Sequence, residues 1–301
     1  MGDLSGKVAI VTGAGQGLGR EEAMQLARQG ARVVINDVDL PAAAEKAHQT
    51  VADIKAFGGE AIAALGDGAD TTSAGKTFKA ALDAFGDVNI MVNNAGFTRD
   101  KTIYGMTDDE FDSVVRVHLR GHFVNMRNAA QYWREKAKAG PIYGRLISTS
   151  SEAMLYASPG QPNYAPAKAG ITALSIGVAA LMQKLGVTCN VILPRGRTAM
   201  TESMPHAHLF AAPKEGFDVF NPANVAPMVG YLASPEAGHI SGELFVVWGG
   251  RVSIVQRPRL DVFYDNPKGG KWEVDGLHAS LAGYFTPEHR PVVDGYALPP
   301  Q

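Results

Sequence analysis

Three side chains near the middle of the chain have the types and spacing for proton transfer at an alcohol. Tyr164 and Lys168 stand four residues apart, so on a helix both side chains would lie on one face. Ser151 lies 13 residues before Tyr164. The phenol could take a proton from an alcohol if the ammonium lowers its pKa from about 10 towards neutrality. The serine hydroxyl could hold the oxygen whose charge changes.

The alternative is that the tyrosine and lysine form a pair without chemical meaning. The same spacing recurs at Tyr132 and Lys136 and at Tyr264 and Lys268. The first of these pairs lies in a polar helical run, which is typical of a solvated face, and the second is interrupted by a turn signal. Neither has a serine 13 residues upstream. Taken alone, the triplet leaves the catalytic and the structural interpretation open.

The N-terminal region has the layout of a dinucleotide-binding unit. An apolar run over 7–12 predicts a buried strand, and a helical run after it stops at Gly30. A second strand is predicted over 32–36, and Asp37 closes it. The glycines between the first strand and the helix are Gly13, Gly17 and Gly19, a spacing that differs from Gly-x-Gly-x-x-Gly because position 18 is leucine. The glycines could serve only a tight turn, but the strand–helix–strand–acid context favours cofactor binding.

Each part of this unit has a physical task. The glycines let the backbone approach a pyrophosphate, and the turn residues Gln16 and Leu18 become candidate cofactor contacts. The start of the helix offers N–H groups to the same anion. Asp37 could accept hydrogen bonds from ribose hydroxyls and would repel a 2′-phosphate. The predicted cofactor is therefore NAD rather than NADP.

Strands and helices alternate along the next two hundred residues. Further strands are predicted over 61–65, 88–92, 145–149, 187–193 and 243–247. This alternation predicts an α/β fold: a Rossmann-type, doubly wound, seven-stranded parallel sheet with helices on both faces. The ligand edge of such a sheet is where its strands end. The candidate residues at this edge are Asp67 and Gly68 after the third strand and Asn94, Ala95 and Gly96 after the fourth. Asp67 could instead be an ordinary turn or N-cap aspartate.

The composition excludes several other functions. A formal charge of −2 argues against a nucleic acid or an anionic membrane as partner. The sequence shows no apolar run of about 18 residues and no signal peptide. The single cysteine, Cys189, allows no internal disulfide and favours a reducing compartment, so a cytoplasmic protein is predicted. Neither a zinc-type Cys/His cluster nor His-Glu-x-x-His occurs, so a metal site is not expected.

Together these motifs resemble the short-chain dehydrogenase/reductase family over about residues 5 to 250. The residues that carry the resemblance are Thr12, Gly13, Gly17, Gly19, Asp67, Asn93 to Gly96, Ser151, Tyr164, Lys168 and Pro194 to Thr198. It implies that Tyr164 is the general acid and base and that Ser151 polarises the substrate oxygen. It also implies that Lys168 binds the nicotinamide ribose. Thr198 would hold the carboxamide next to Pro194, Asp67 would meet the adenine, and Asn94 would support the cofactor.

Three positions depart from the family pattern. His118 stands where the family usually has asparagine, and it could support a water relay to Lys168 or be a core histidine. Arg195 replaces the glycine that usually follows the proline after the sixth strand, and it is expected to reshape the nicotinamide pocket. Pro166 lies between Tyr164 and Lys168, where it is tolerable only if the helix begins a few residues earlier.

The residues around His118 and Asp37 are similar to the hydroxyacyl-CoA and 17β-hydroxysteroid dehydrogenase branch of the family. This similarity implies an NAD-dependent oxidoreductase for a large apolar alcohol or ketone. A 3-oxoacyl carrier-protein reductase and a non-catalytic dinucleotide-binding regulator are the alternatives. An apolar substrate pocket is expected from Met154, Tyr156, Phe97, Met200, Met204 and Phe210.

The last fifty residues are not part of the family core. We predict a catalytic domain over 1–250 and an extension over 251–301 that packs on this domain or on a neighbouring subunit, since the extension is rich in aromatic residues. The family is often tetrameric through its long helices. A homo-oligomer is therefore expected by resemblance.

Overall fold

The protein is built around one eight-stranded sheet. The computed structural model describes residues 3–202, 207–257, 260, 262–267 and 269–285. The strand order is β3-β2-β1-β4-β5-β6-β7-β8. The strands are β1 Val8–Thr12, β2 Arg32–Asn36, β3 Ala61–Ala63, β4 Ile90–Asn93, β5 Gly144–Thr149, β6 Val187–Pro194, β7 Leu244–Trp248 and β8 Arg251–Val255. All neighbours from β3 to β7 pair in parallel, which confirms the predicted Rossmann-type fold.

Helices cover both faces of the sheet. The helices are α1 Gly17–Arg28, α2 Pro41–Ala56, α3 Thr71–Phe85, α4 Asp108–Val115, α5 Gly121–Lys136, α6 Ala153–Tyr156, α7 Tyr164–Met182, α8 Ala199–Glu202, α9 Ala226–Ala233 and α10 Val274–Leu281. One core joins α1, α2 and α9 to the sheet, and a second joins α3, α5 and α7 to its other face. Neighbouring strand residues alternate between these cores: Ile10 belongs to one and Val11 to the other.

The edge of the sheet carries one strand more than predicted. Strand β8 pairs antiparallel with β7, with Trp248 opposite Arg251, so Gly249 and Gly250 form a two-residue hairpin. Gly249 has φ +50°, a conformation that glycine adopts without strain. The sheet therefore has eight strands rather than seven. The first compact unit runs to Val255, and the predicted domain organisation remains a prediction.

Two helical regions of the chain are not continuous α-helices. The helix that the capping box of Thr107 and Glu110 opens is divided into α4 and α5 by a π-helical segment, Arg116–Arg120. A π-segment of this kind often occurs at functional sites, and this one contains His118. A 3₁₀ turn, Pro222–Asn224, precedes α9, which begins at Ala226. Pro227 explains this break, because its missing N–H fits only the first turn of α9.

The longest apolar helix belongs to the core. Among the residues described, the stretch Tyr164–Leu185 is long and apolar enough to cross a membrane by length and composition alone. Its α7 part buries Ile171 and Ala179 and packs against β6. It also carries buried Tyr164 and Lys168, and we interpret it as the core helix of an α/β domain.

A second unit begins at Gln256. Within its described part, α10 is followed by a small aromatic cluster in which Tyr284 contacts Tyr264 and Phe285 edge to face. Such edge contacts are a favourable arrangement of aromatic rings. The packing predicted for residues 251–301 remains a prediction, apart from the residues that form β8.

Candidate active site

Helix α7 begins one residue after a buried asparagine. The side chain of Asn163 accepts a hydrogen bond from the Tyr164 N–H at 2.7 Å. Its amide donates to the carbonyl oxygens of Arg99 and Glu110 at 2.9 and 3.0 Å. Since the helix starts at Tyr164, Pro166 falls in its first turn, where the missing N–H has no intrahelical partner in any case. The condition set by the sequence is therefore met.

The candidate catalytic residues meet at the carboxyl edge of the sheet: Ser151, Tyr164 and Lys168. The Ser151 hydroxyl hydrogen-bonds the phenol of Tyr164. The Nζ atom of Lys168 donates to the carbonyl oxygen of Thr149 at 2.7 Å and lies 5.3 Å from the centroid of the Tyr164 ring. Tyr164 and Lys168 are buried, and Ser151 is half-buried. The other two tyrosine–lysine pairs have no such partner serine in the sequence.

Burial changes the acidity of this group in a way the sequence did not predict. Burial raises the pKa of Tyr164 to about 12, and the hydrogen bond from Ser151 opposes that rise. Burial also lowers the pKa of Lys168 to about 7. In the protein alone, Lys168 therefore does not lower the pKa of Tyr164 as was expected. A phenolate would require a further positive charge beside the ring.

Gly13 and Gly19 of the glycine turn have no room for a side chain, because a Cβ atom at either position would collide with neighbouring backbone atoms. A Cβ at Gly19 would lie 2.3 Å from the Gly13 oxygen, and one at Gly13 would lie 2.8 Å from the Ala95 Cα. Gly13 and Gly17 have φ +63° and +57°. Gln16 is the N-cap of α1 but makes no side-chain capping bond, so the first turn presents its N–H groups to a ligand.

Two hydrogen-bond networks hold the ends of β1 and β4 together. The Asn94 side chain donates to the carbonyl oxygens of Thr12 and Gly13 at 3.1 and 3.2 Å. The Thr12 hydroxyl accepts from the Asn94 and Ala95 N–H groups at 3.0 and 3.2 Å. Asn94 therefore supports the glycine turn directly, and the support of a cofactor that the family resemblance implies for it remains a prediction.

His118 lies against the segment that follows β4. Its Nε2 contacts the backbone oxygen and nitrogen of Phe97 at 2.8 and 3.2 Å. A Cβ at Gly96 would lie 2.0 Å from the His118 ring, so only glycine fits beneath it. The rings of His118 and Tyr164 meet edge to face at 5.2 Å. Burial lowers the pKa of His118 well below its usual value, so the ring is neutral.

The predicted adenosine-binding residues line one cleft at the same edge. The residues that border it include Gly13, Asp37, Asp67, Gly68, Ala95 and His122. Asp37 accepts from the N–H groups of Gly15 at 3.0 Å and Val38 at 2.9 Å. Asp67 accepts from the Ala69 N–H at 2.8 Å, as a turn aspartate does, and also pairs with Arg116 at 2.5 Å. Asp67 therefore makes the hydrogen bond of a turn aspartate while it borders the cleft, and its contact with adenine remains a prediction.

The segment after β6 faces the glycine turn. A Cβ at Gly17 would lie 3.5 Å from the methyl carbon of Thr198, and one at Gly196 would lie 3.3 Å from Leu18. Pro194 is the last residue of β6. Thr198 therefore lies opposite Gly17 of the glycine turn, and the predicted contacts of Pro194 and Thr198 with a dinucleotide remain predictions.

Comparison with known proteins identifies the family. A family model described as short chain dehydrogenase matches residues 7–208. The chain belongs to the short-chain dehydrogenase family. It is therefore an oxidoreductase, and the family uses a nicotinamide dinucleotide as cofactor.

Similar short-chain dehydrogenases include bacterial and animal proteins. Hydroxyacyl-CoA dehydrogenase ChsB1 of Mycobacterium tuberculosis is 46% identical over 94% of this chain and 90% of its own length. Peroxisomal multifunctional enzyme type 2 of Mus musculus is 38% identical over 82% of this chain, which corresponds to only 32% of that larger protein. A crystal structure of a short chain dehydrogenase from Mycobacterium avium is 39% identical, with a TM-score of 0.86 over 99% of this chain and 100% of that one.

Two residues close to the candidate active site were not identified from the sequence: Asn163 and Glu152. Asn163 was not predicted as the anchor of α7, although asparagine is a common N-cap residue. Glu152 was not singled out, and its partner Arg195 was noticed only as a departure from the family pattern. No local signal links Glu152 to Arg195, because they lie on different segments.

His118→Asn is expected to keep turnover within a few-fold of wild type, because an amide can still bond to the Phe97 backbone. His118→Leu should lower kcat on the order of 10-fold, the effect of losing a hydrogen bond worth roughly 1–1.5 kcal/mol. Steady-state kinetics and melting temperatures of both variants would check this. A leucine variant with wild-type kcat would instead support a purely structural histidine.

Proposed function

We propose that this short-chain dehydrogenase oxidises the alcohol of a 3-hydroxyacyl-CoA, or reduces the corresponding ketone, with NAD(H). The observation that carries the proposal is the group of half-buried Ser151 with buried Tyr164 and Lys168 at the carboxyl end of β5. The two relatives named above support the substrate class. Asp37, at the end of β2, supports NAD over NADP.

Each residue of the candidate catalytic group has a separate role in the proposed reaction. Tyr164 exchanges the proton of the substrate hydroxyl, and Ser151 donates a hydrogen bond to the substrate oxygen. The bound dinucleotide supplies the hydride acceptor or donor and, when oxidised, a positive charge near the ring. Lys168 keeps the tyrosine environment positive whenever it is protonated and binds the ribose hydroxyls. The raised pKa of Tyr164 keeps its proton available for ketone reduction at neutral pH.

The walls near the serine are suited to an apolar substrate. Met154 and Phe210 pack on a cluster that contains Phe220 and Trp248. The rings of Phe210 and Phe220 lie 5.0 Å apart, and those of Phe220 and Trp248 lie 5.8 Å apart. Methionine and aromatic side chains of this kind line pockets for large apolar ligands. Met204, which was also expected there, lies outside the described residues.

An activity screen would test the proposed substrate. Purified enzyme is mixed with NAD or NADP and with hydroxyacyl-CoA esters of increasing chain length, hydroxysteroids, or an acyl-carrier-protein thioester, and dinucleotide reduction is followed at 340 nm. We expect the highest kcat/KM with a 3-hydroxyacyl-CoA and NAD. Dinucleotide binding without turnover of any alcohol would support the non-catalytic alternative. A preference for the carrier-protein thioester with NADP would support the reductase alternative.

Asp37→Ala is expected to narrow the preference for NAD over NADP. The carboxylate would no longer repel a 2′-phosphate, while the exposed Lys46, which lines a neighbouring depression together with Asp37, would remain to attract it. The ratio of kcat/KM for the two dinucleotides measures this effect. In the Asp37→Ala background, Lys46→Met should restore part of the discrimination. A wild-type enzyme that already prefers NADP would contradict the role of Asp37.

The cellular setting is part of the proposal. The single cysteine, Cys189, is buried in β6, and this supports a reducing, cytoplasmic setting. We also propose a homo-oligomer, as the family resemblance implies. Size-exclusion chromatography with light scattering would measure the number of subunits.

A further inference from the structure

A buried ion pair joins the two segments that flank the reacting groups. The Nη2 of Arg195 donates to Oε1 of Glu152 at 2.6 Å, and its Nε donates to the other carboxylate oxygen, Oε2. Each side chain is only 7% exposed. A bidentate pair of this geometry fixes direction as well as distance, because the planar guanidinium matches the carboxylate.

The two partners stand next to functional positions in the chain. Glu152 directly follows Ser151, and Arg195 directly follows Pro194. The Arg195 N–H donates to the Val247 oxygen at 3.0 Å, which attaches this segment to β7. The guanidinium also lies 5.1 Å from the Trp248 ring centroid, in cation–π range. Arg195 is thus held by β7 on one side and by the serine segment on the other.

A second arginine anchors the same segment further along. Arg197 pairs with Asp218 and donates to the Phe210 oxygen at 2.9 Å. Its backbone N–H donates to the Phe220 oxygen at 2.6 Å. Thr198 follows directly, opposite the glycine turn. The stretch from Pro194 to Thr198 is therefore held at two points, and the Arg195–Glu152 pair links it to the residue that follows Ser151.

We propose that Glu152 and Arg195 act as a positioning pair that holds the Ser151 hydroxyl in register with the nicotinamide-binding segment. The family has glycine at position 195, which has no side chain to make this connection. Hydride transfer requires the alcohol carbon and the nicotinamide to approach within near-contact distance, and a 1 Å misplacement can cost on the order of 100-fold in rate. This inference rests on the proposed function, since it assumes that Ser151 holds the reacting oxygen.

The main test removes both charges together. Breaking only one partner would leave a buried charge uncompensated and destabilise the fold, whereas replacing both by apolar residues of similar size is often neutral or stabilising. The double variant Glu152→Leu/Arg195→Met should therefore keep its melting temperature. Its kcat on the 3-hydroxyacyl-CoA should fall at least about 10-fold. The Kd for NADH should change less than about 3-fold, because the glycine turn and Asp37 are intact.

Two further readouts separate positioning from stability. The fluorescence of bound NADH should become weaker in the double variant, since a loosened segment would hold the nicotinamide less rigidly. Arg195→Lys keeps the charge but loses the bidentate contact, so it should fold as wild type with kcat lowered several-fold. Lys136→Met is the matched control, because it removes an ion pair with Asp87 at the opposite end of β4 and should leave kcat unchanged.

The outcomes are distinct. If a folded double variant kept wild-type kcat and NADH fluorescence, the pair would only be structural and the inference would be overturned. If the double variant failed to fold, Arg195→Lys would decide, and wild-type kcat in that variant would equally overturn it. A wild-type enzyme without activity on any alcohol would contradict the proposed function instead. In that case the NADH fluorescence of the variants would still test whether the pair orders the nicotinamide segment.

Discussion

Tyr164→Phe is expected to reduce turnover by on the order of 100-fold or more, because it removes the group that exchanges the substrate proton. The ring is 9% exposed and lies on the first turn of α7, so a phenylalanine of the same shape fits the site. The Kd for NADH should stay within a few-fold of wild type, since the glycine turn lies on other elements. Steady-state kinetics and titration of NADH fluorescence measure the two effects.

A matched control for this prediction is another tyrosine with lysine four residues later. Tyr132 donates a hydrogen bond to Asp87 at 2.8 Å, away from the cleft. Tyr132→Phe should change stability slightly and leave kcat intact. Near-normal turnover of Tyr164→Phe at neutral pH would show that the proton follows another path, and the proposed role of the phenol would be wrong.

Glu22→Gln is expected to make the protein more stable than wild type at alkaline pH. Glu22 is fully buried on α1, and neither carboxylate oxygen has a hydrogen-bond partner among the residues described. Burial raises the pKa of its carboxyl group from 4.5 to about 8. At 1.36 kcal/mol per pKa unit, this change corresponds to a penalty of about 4–5 kcal/mol in wild type once both states are ionised.

The sign of the pH effect follows from which state binds more protons. Below pH 4.5 the carboxyl is protonated in the folded and unfolded chains, so Glu22 adds no pH-dependent cost. As the pH rises from 4.5 to about 8, the unfolded chain loses this proton first, and the free energy of unfolding falls. Above about 8 the penalty is complete. The advantage of Glu22→Gln should therefore grow across this window and then level off.

Denaturant unfolding of wild type and Glu22→Gln at a series of pH values would measure this difference. Glu60→Gln is the control, because Glu60 is an exposed acid and its replacement should give no such pH-dependent gain. A constant difference between wild type and Glu22→Gln from pH 5 to 9 would mean that burial does not keep Glu22 protonated.

The sequence by itself determined the frame of the protein. The β-branched run before the glycines and the helical run after them predicted β1 and α1, because these patterns are local and report which face is buried. The alternation of such runs predicted the parallel sheet. It also predicted that Asn94, after the fourth strand, would lie at the ligand edge of the sheet. In the structure Asn94 directly follows β4, and its side chain bonds to the carbonyl oxygens of Thr12 and Gly13.

The tertiary structure decided what depends on partners distant in the chain. The hairpin of β7 and β8 depends on the turn at Gly249, which lets β8 fold back and pair with the edge strand β7. The pairing of Glu152 with Arg195 joins segments 43 residues apart, and the sequence of neither segment predicts its partner. The pKa values of Tyr164, Lys168 and Glu22 depend on burial, which only the packed sheet and helices create. Residue type and spacing therefore specified the candidate chemistry, while the protonation states and the alignment of the reacting groups came from long-range packing.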